Sequence, residues 1–281
     1  MPFTPSHAVV ALPFVRTPLL PAAIAVGAMT PDLPLFVRGL PLHYGLTHDL
    51  RWLPLTVALA LALLLIWRCV LRPSVRDLCP DRLAQRLPAD WDAAPPEALR
   101  ETFGVRRDRE HALSGSGDRS RSSVRGILLL LASLVLGVLS HIAWDLFTHE
   151  GRWGVQVLPV LEGLWGPLAG YKWLQHGSSV VGVAVIAVWA MLWLARRNPG
   201  PSIRRVLPAV ARWGWWLSLP VLLFVAWVIG LVAYGPLTGS WTIAHLAYRV
   251  LPPACALWGG LTLVLAVLVQ LLRARRSVRV A

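Results

Sequence analysis

The chain has 281 residues, 56% of them hydrophobic, with a formal net charge of +13 and a mean hydropathy of +0.59. Apolar residues gathered in long blocks rather than periodic stripes exclude an ordinary soluble helical domain, whose helices need a polar face. The three scattered cysteines, Cys69, Cys79 and Cys255, make neither a disulfide framework nor a CxxC metal pair.

The opening MPFTPSHAVV lacks the basic region of a cleaved signal peptide and is expected to stay on the mature protein. Residues 8–30 are apolar but broken by Pro13, Arg16, Pro18 and Pro21. So short a clean run suits a re-entrant hairpin of two short helices joined near residues 16–21 rather than a span. Five later blocks, 52–71, 126–147, 178–195, 213–234 and 253–272, are long enough to cross a bilayer. Many of the 15 tryptophans sit at block ends, where an indole ring favours the headgroup region. The fold class is therefore all-α, a polytopic membrane helical bundle of about five transmembrane helices preceded by a short helical hairpin.

Residues 73–124 form the only long polar stretch and read as a flexible cytoplasmic loop with a weak helix over 96–103. The chain then divides into an N-terminal region with the first span (1–72), this loop, which holds His111, and a four-helix transmembrane region (125–281). The positive charge tracks this layout. Lys172 is the only lysine, and arginines crowd 72–125, 196–212 and the stretch after Leu272. With five alternating spans these three segments share one face, and the positive-inside rule makes it the cytoplasm. The expected location is the cytoplasmic membrane, with the N-terminus outside and the C-terminus inside. Interspersed acids and a scarcity of aromatics in the basic loop argue against nucleic acid as a partner and leave membrane lipids.

Ionisable groups within or beside spans are costly and ask for a reason. In SHIAWDLFTHE, His141, Asp145 and His149 are four apart, so they follow one stripe of a helix. Imidazole and carboxylate on one stripe suit zinc, manganese or iron. In HYGLTHD, His43 and His48 are five apart and converge only through a turn at Gly45. Asp32, in GAMTPDLP, reads equally as part of a helix-ending turn, and His7 as a surface histidine near the terminus. His176, in WLQHGSSVVG, lies at the mouth of the third span as a ligand or a donor to one, with Gln175 and Ser178 beside it. His245 suits an interfacial position.

Taken together, MPFTPSHA, GAMTPDLP, SHIAWDLFTHEG and YKWLQHGSS resemble an uncharacterised bacterial membrane family, the domain of unknown function numbered 4184, over nearly the whole chain. More distantly, an N-terminal His, then Pro-Asp, then His-x4-His, then His-x3-Asp is similar to the membrane-bound metal-dependent hydrolases and to zinc-dependent phospholipase C. The resemblance implies His7, Asp32, His48, His141 and Asp145 as metal ligands, followed by His43 and His149. Tyr44 and Asp49 stand where the hydrolase group tends to have Arg and Ser, and Tyr44 removes a cation suited to phosphate.

The expected function is a divalent-metal-dependent hydrolase, zinc first and manganese second, with its site on the outer face. A phospholipid or other phosphoester is the expected substrate, with His176 or a carboxylate handling protons. The alternative is a non-catalytic scaffold or transporter holding a structural or transported ion. A third option, a polar network without metal, keeps His43 and His48 away from His141.

Overall fold

The computed structural model describes residues 4–38, 41–104 and 118–280. In chain order its helices are α1 (Pro21–Met29), α2 (Leu33–Phe36), α3 (Tyr44–Thr47), α4 (Leu53–Ile66), α5 (Arg72–Leu78) and α6 (Asp81–Ala84). They continue with α7 (Pro95–Thr102), α8 (Asp118–Thr148), α9 (Trp153–Val157), α10 (Gly170–Ala195), α11 (Ala209–Tyr234) and α12 (Ile243–Val280). A 3-10 helix, Thr4–Phe14, precedes α1 and completes the expected N-terminal hairpin. Pro21 opens α1, where its missing N–H costs nothing and its φ is already helical.

Among the described residues, five helical segments are long and apolar enough to cross a membrane: Leu50–Leu78, Val124–Thr148, Gly170–Ala195, Ala209–Tyr234 and Ile243–Arg276. They present large apolar side chains outward, among them Val180, Met191, Phe224, Val232 and Val264. Water tolerates apolar patches of this extent poorly, whereas lipid does not oppose them. The chain is a multi-pass membrane protein.

The residues form two compact units, one from Met1–Leu33, His43–Ile66 and Pro96–Arg196, the other from Pro34–Leu42, Trp67–Pro95 and Arg197–Ala281. In the first, α1 packs on α8 through glycine. A Cβ on Gly27 would lie 2.6 Å from the Leu134 carbonyl oxygen, and one on Gly137 would strike the Ile24 carbonyl. Absence of side chains at both positions is what lets the two backbones approach so closely. The buried Ile24, Ala28, Leu130, Leu134 and Val138 fill this unit around the crossing. A hairpin of β1 (Leu164–Trp165) and β2 (Leu168–Ala169) turns at Gly166, whose φ of 74° suits glycine, and leads into α10.

In the second unit the span that ends in α5 carries a π-helical turn, Trp67–Leu71. Pro73 has no N–H to give the Cys69 carbonyl one turn back, so the ladder opens there. Gln270 on α12 fills the gap, its amide donating to the Cys69 and Val70 carbonyls at 3.1 and 3.0 Å. Helices α11 and α12 are pinned by indoles: Trp215 donates to Thr262 at 3.0 Å and Trp258 to Ser218 at 3.1 Å. Gly235, with φ 81°, ends α11.

The reading of 73–124 as a flexible loop is corrected for its described part, residues 73–104. Helices α5, α6 and α7 lie there, and Asp77 is fully buried. Asp77 accepts the Val206 and Leu207 backbone N–H groups at 3.1 and 3.3 Å and pairs with Arg273 at 3.4 Å. Arg76 pairs with Asp92. Interspersed opposite charges look the same in composition whether each faces water or each holds a partner. The weak helix expected over 96–103 is α7. Asp118 and the residues after it already belong to α8. His111 lies outside the described residues.

Candidate metal centre

Every fourth residue on one side of α8 is polar or lacks a side chain: Ser133, Gly137, His141 and Asp145. This stripe runs along α1. The Ser133 hydroxyl accepts the Leu20 N–H at 2.9 Å, next to the first turn of α1. Gly137 permits the close crossing, and His141 Nδ1 meets the Ala28 carbonyl at 2.7 Å. The chain leaves α1 through the 3-10 turn Thr30–Asp32, which buries Asp32 at 1% exposure beside His141. Thr47 donates to the Pro31 carbonyl at 2.6 Å, tying α3 to that turn and bringing in His48. His7 enters from the Thr4–Phe14 helix, whose Ser6 backbone lies against Gly182 of α10, and Thr4 donates to Asp32 Oδ2 at 2.7 Å.

These elements converge on a small buried volume. His48 Nε2 and His141 Nε2 are 3.2 Å apart. Asp145 Oδ2 lies 3.4 Å from the first and 3.5 Å from the second, and Asp32 Oδ1 is 3.8 Å from His141 Nε2. His7 stacks on His141 with ring centroids 4.0 Å apart. Two overlapping triads, His7–His141–Asp145 and Asp32–His48–His141, each hold their candidate ligand atoms within 4.8 Å of one another.

The second nitrogen of each central ring decides what the first presents. His141 Nδ1 faces the Ala28 carbonyl and His48 Nδ1 the Tyr44 carbonyl at 3.0 Å. A carbonyl only accepts, so both Nδ1 atoms carry the hydrogen in the neutral rings, and both Nε2 lone pairs point at the same place. Ligands each about 2.1 Å from a tetrahedral zinc stand about 3.4 Å apart, close to the spacing of this set. Two lone pairs and a carboxylate oxygen facing one another repel unless a cation lies between them. A proton on His141 Nε2 would make its contacts with His48 Nε2 and Asp145 Oδ2 attractive and leave the His48 lone pair facing the carboxylate. It leaves His7 Nε2, Asp32 Oδ1 and Asp145 Oδ1 buried without a hydrogen-bond partner among the described residues. Such orphaned polar atoms are costly, and each of the two triads is a donor set able to hold a divalent ion.

Burial shifts the groups around the cluster toward their neutral forms. Burial, with the neighbouring His141, lowers the His7 pKa to about 3, so its ring stays neutral and able to ligate. Burial also lowers the pKa of His149 and raises that of Asp32. Tyr44, stacked on His48, donates to Asp145 Oδ2 at 3.0 Å; burial and then the Asp145 charge raise its pKa and keep it a donor.

Of the residues read from sequence, the structure brings together His7, Asp32, His48, His141 and Asp145, with His149 at the rim. His149 Nδ1 is 3.6 Å from Asp145 Oδ2, and its Nε2 is 3.4 Å from the Gln175 amide. Two residues stay out. His43 is an exposed N-cap of α3, without a contact to the cluster among the described residues. His176 is exposed on α10 while its neighbour Gln175 is buried against His149, because consecutive helical positions differ by about 100° in direction. His245 pairs with Thr242 instead, at 2.9 Å. Sequence reasoning missed Thr4 and Tyr44 as partners of the two carboxylates. Both flank motif histidines, but only a tertiary contact marks them.

Residues 1–272 match the sequence model of the family described as a domain of unknown function, DUF4184. The chain belongs to this family. Every residue of the cluster falls within the matched span. No curated protein and no solved structure matches the chain.

Proposed function

We propose that the protein is a divalent-metal-dependent hydrolase of phosphoester substrates, embedded in the cytoplasmic membrane with its site on the outer face. The observation that carries this reading is the convergence of His48 Nε2, His141 Nε2 and Asp145 Oδ2 beside three buried polar atoms that have no hydrogen-bond partner among the described residues. Nitrogen-rich, carboxylate-assisted ligation favours zinc, with manganese as the alternative. The arginine-rich segments 72–125, 196–212 and beyond 272 support a cytoplasmic C-terminus by the positive-inside rule, which leaves the His/Asp motifs outside. The distant resemblance to membrane-bound metal-dependent hydrolases and zinc-dependent phospholipase C supports the reaction class.

When bound, such an ion acts as a Lewis acid and lowers the pKa of water toward neutrality. The chain's own residues do the rest. Thr4 and Tyr44 orient the carboxylates of Asp32 and Asp145, and the Ala28 and Tyr44 carbonyls hold the imidazoles in one tautomer. His149, partly open to solvent and next to Asp145, is the group for moving protons, in place of His176, which lies outside the cluster. A phospholipid headgroup or another amphiphilic phosphoester suits a site where a span ends.

One observation favours the second reading, a structural or transported ion in a non-catalytic protein: all five central residues are buried. Structural sites are closed and catalytic ones keep an open position. Elemental analysis of detergent-purified wild type and His141→Ala tests the centre, with Asp32→Asn as a variant that preserves shape. Near-stoichiometric zinc or manganese, lost in both variants, supports it; no metal in chelator-free wild type overturns it. Metal-loaded protein that hydrolyses bis(p-nitrophenyl) phosphate, and loses this with His149→Ala while keeping the metal, supports catalysis. Metal without hydrolysis of that diester or of phosphatidylcholine favours the structural ion.

A further inference from the structure

The second unit holds a cavity of about 950 Å³ that has no part in the metal centre. Arg76, Arg86, Arg197, Arg204, Arg273 and Arg276 line it, against one carboxylate, Asp92. Both oxygens of that carboxylate are engaged, Oδ2 by Arg76 and Oδ1 by Arg273 at 3.3 Å. Six guanidiniums therefore line the cavity against one lining carboxylate, with Arg273 also paired to the buried Asp77 behind the wall.

The walls are built rather than incidental. Arg76 Nε donates to the Ala84 carbonyl at 3.2 Å, Arg197 Nε to the Arg86 carbonyl at 2.8 Å and Arg276 to the Arg205 carbonyl at 2.9 Å. The Gly200 N–H bonds the Gln85 carbonyl at 2.8 Å and closes the rim. Bonds to carbonyls fix a guanidinium without neutralising it, and each guanidinium has five N–H groups to distribute. Arg86 bonds only the Arg82 carbonyl, at 3.0 Å, and Arg204 makes no ion pair among the described residues. Several like charges held rigidly around an open space repel one another. The partner that relieves this is a compact anion of more than one charge, and the guanidinium fork matches phosphate oxygens.

The geometry points to this cavity as a binding site for a phosphate-bearing anion. Two sources share that chemistry. Arg273 sits in the last turns of the span Ile243–Arg276, so the cavity lies where a span ends and an anionic lipid headgroup is in reach. Its opening and volume equally admit a soluble polyphosphate.

The test uses the full chain in detergent and two probes. Native mass spectrometry reads retained dioleoylphosphatidylglycerol against dioleoylphosphatidylcholine, and calorimetry reads inorganic tripolyphosphate. The double variant Arg86→Gln/Arg204→Gln removes two guanidiniums from the wall. Arg82→Gln/Arg275→Gln removes the same charge from residues that do not line it. The site predicts that the first variant weakens binding at least tenfold and the second less than twofold, with affinity falling as salt rises. Loss confined to phosphatidylglycerol names a lipid headgroup, loss confined to tripolyphosphate names a soluble ligand, and loss of both names phosphate recognition regardless of carrier. Equal loss in the two variants, or no preference of wild type for either probe, overturns the proposal. Neither outcome depends on the metal centre.

Discussion

Substituting Gly137 by alanine tests how the centre is positioned without touching any candidate ligand. The new Cβ would strike the Ile24 carbonyl and lie 2.8 Å from Ala28 N and 3.0 Å from Gly27 C. All three are backbone atoms and none can rotate away, so α1 and α8 must part by roughly 0.6–1 Å to restore ordinary contact. His141 lies one turn further along α8, and its 2.7 Å bond to the Ala28 carbonyl would stretch beyond hydrogen-bond length. Overpacking costs about 1–3 kcal/mol and an unsatisfied buried pair about 1–3 more, against about 0.5–1 gained in helix propensity, for a net loss of about 1–5 kcal/mol. Gly259→Ala in α12 is the control. A Cβ there meets nothing within 4 Å, so only the propensity gain of about 0.5–1 kcal/mol remains. Thermal unfolding followed by circular dichroism in detergent should show the first variant melting well below wild type and the control at or above it. A Gly137→Ala protein as stable as wild type would refute the argument that backbone contact sets the α1–α8 distance.

Tyr44→Phe removes the 3.0 Å donor to Asp145 Oδ2 and leaves both oxygens of a buried carboxylate short of partners. A stability loss of about 1–3 kcal/mol is expected in chelator-treated protein, and an unchanged melting curve would contradict it. His7 gives a pH dependence whose sign follows from its lowered pKa of about 3. The folded ring stays neutral while the unfolded one takes up a proton near 6.5, so stability is present above that pH and is lost as pH falls toward 3. Between pH 7.5 and 5.5, chelator-treated wild type should lose about 1.4 kcal/mol more than His7→Gln; parallel profiles would rule this out. His43→Ala and His176→Ala, both exposed, should each shift stability by less than about 0.5 kcal/mol and leave metal content intact, which elemental analysis checks directly.

The spans were legible because a membrane imposes a length and a composition on any helix that crosses it, and both are local properties of the chain. The N-terminal hairpin was legible for a similar reason, since prolines interrupt a run too short to span. On α8, spacing by four was enough to align His141, Asp145 and His149 before any fold was known. The region after Leu71 was misread because ion pairing cannot be seen in composition: Asp77 and Asp92 meet arginines through contacts that join residues far apart in sequence.

By itself, then, the sequence determined what is periodic or contiguous: five apolar helices, a broken hairpin and one polar stripe. Only the tertiary structure decided which side chains meet. It set His48 against His141 and left His43 in solvent, five residues away, because a one-turn helix ending at Thr47 is tied to Pro31. It chose Gln175 over His176 by the 100° between neighbouring helical positions. It gave both carboxylates their hydroxyl donors through a crossing that exists because two glycines face each other. Meetings of this kind depend on backbone distances between distant segments, which no local pattern encodes.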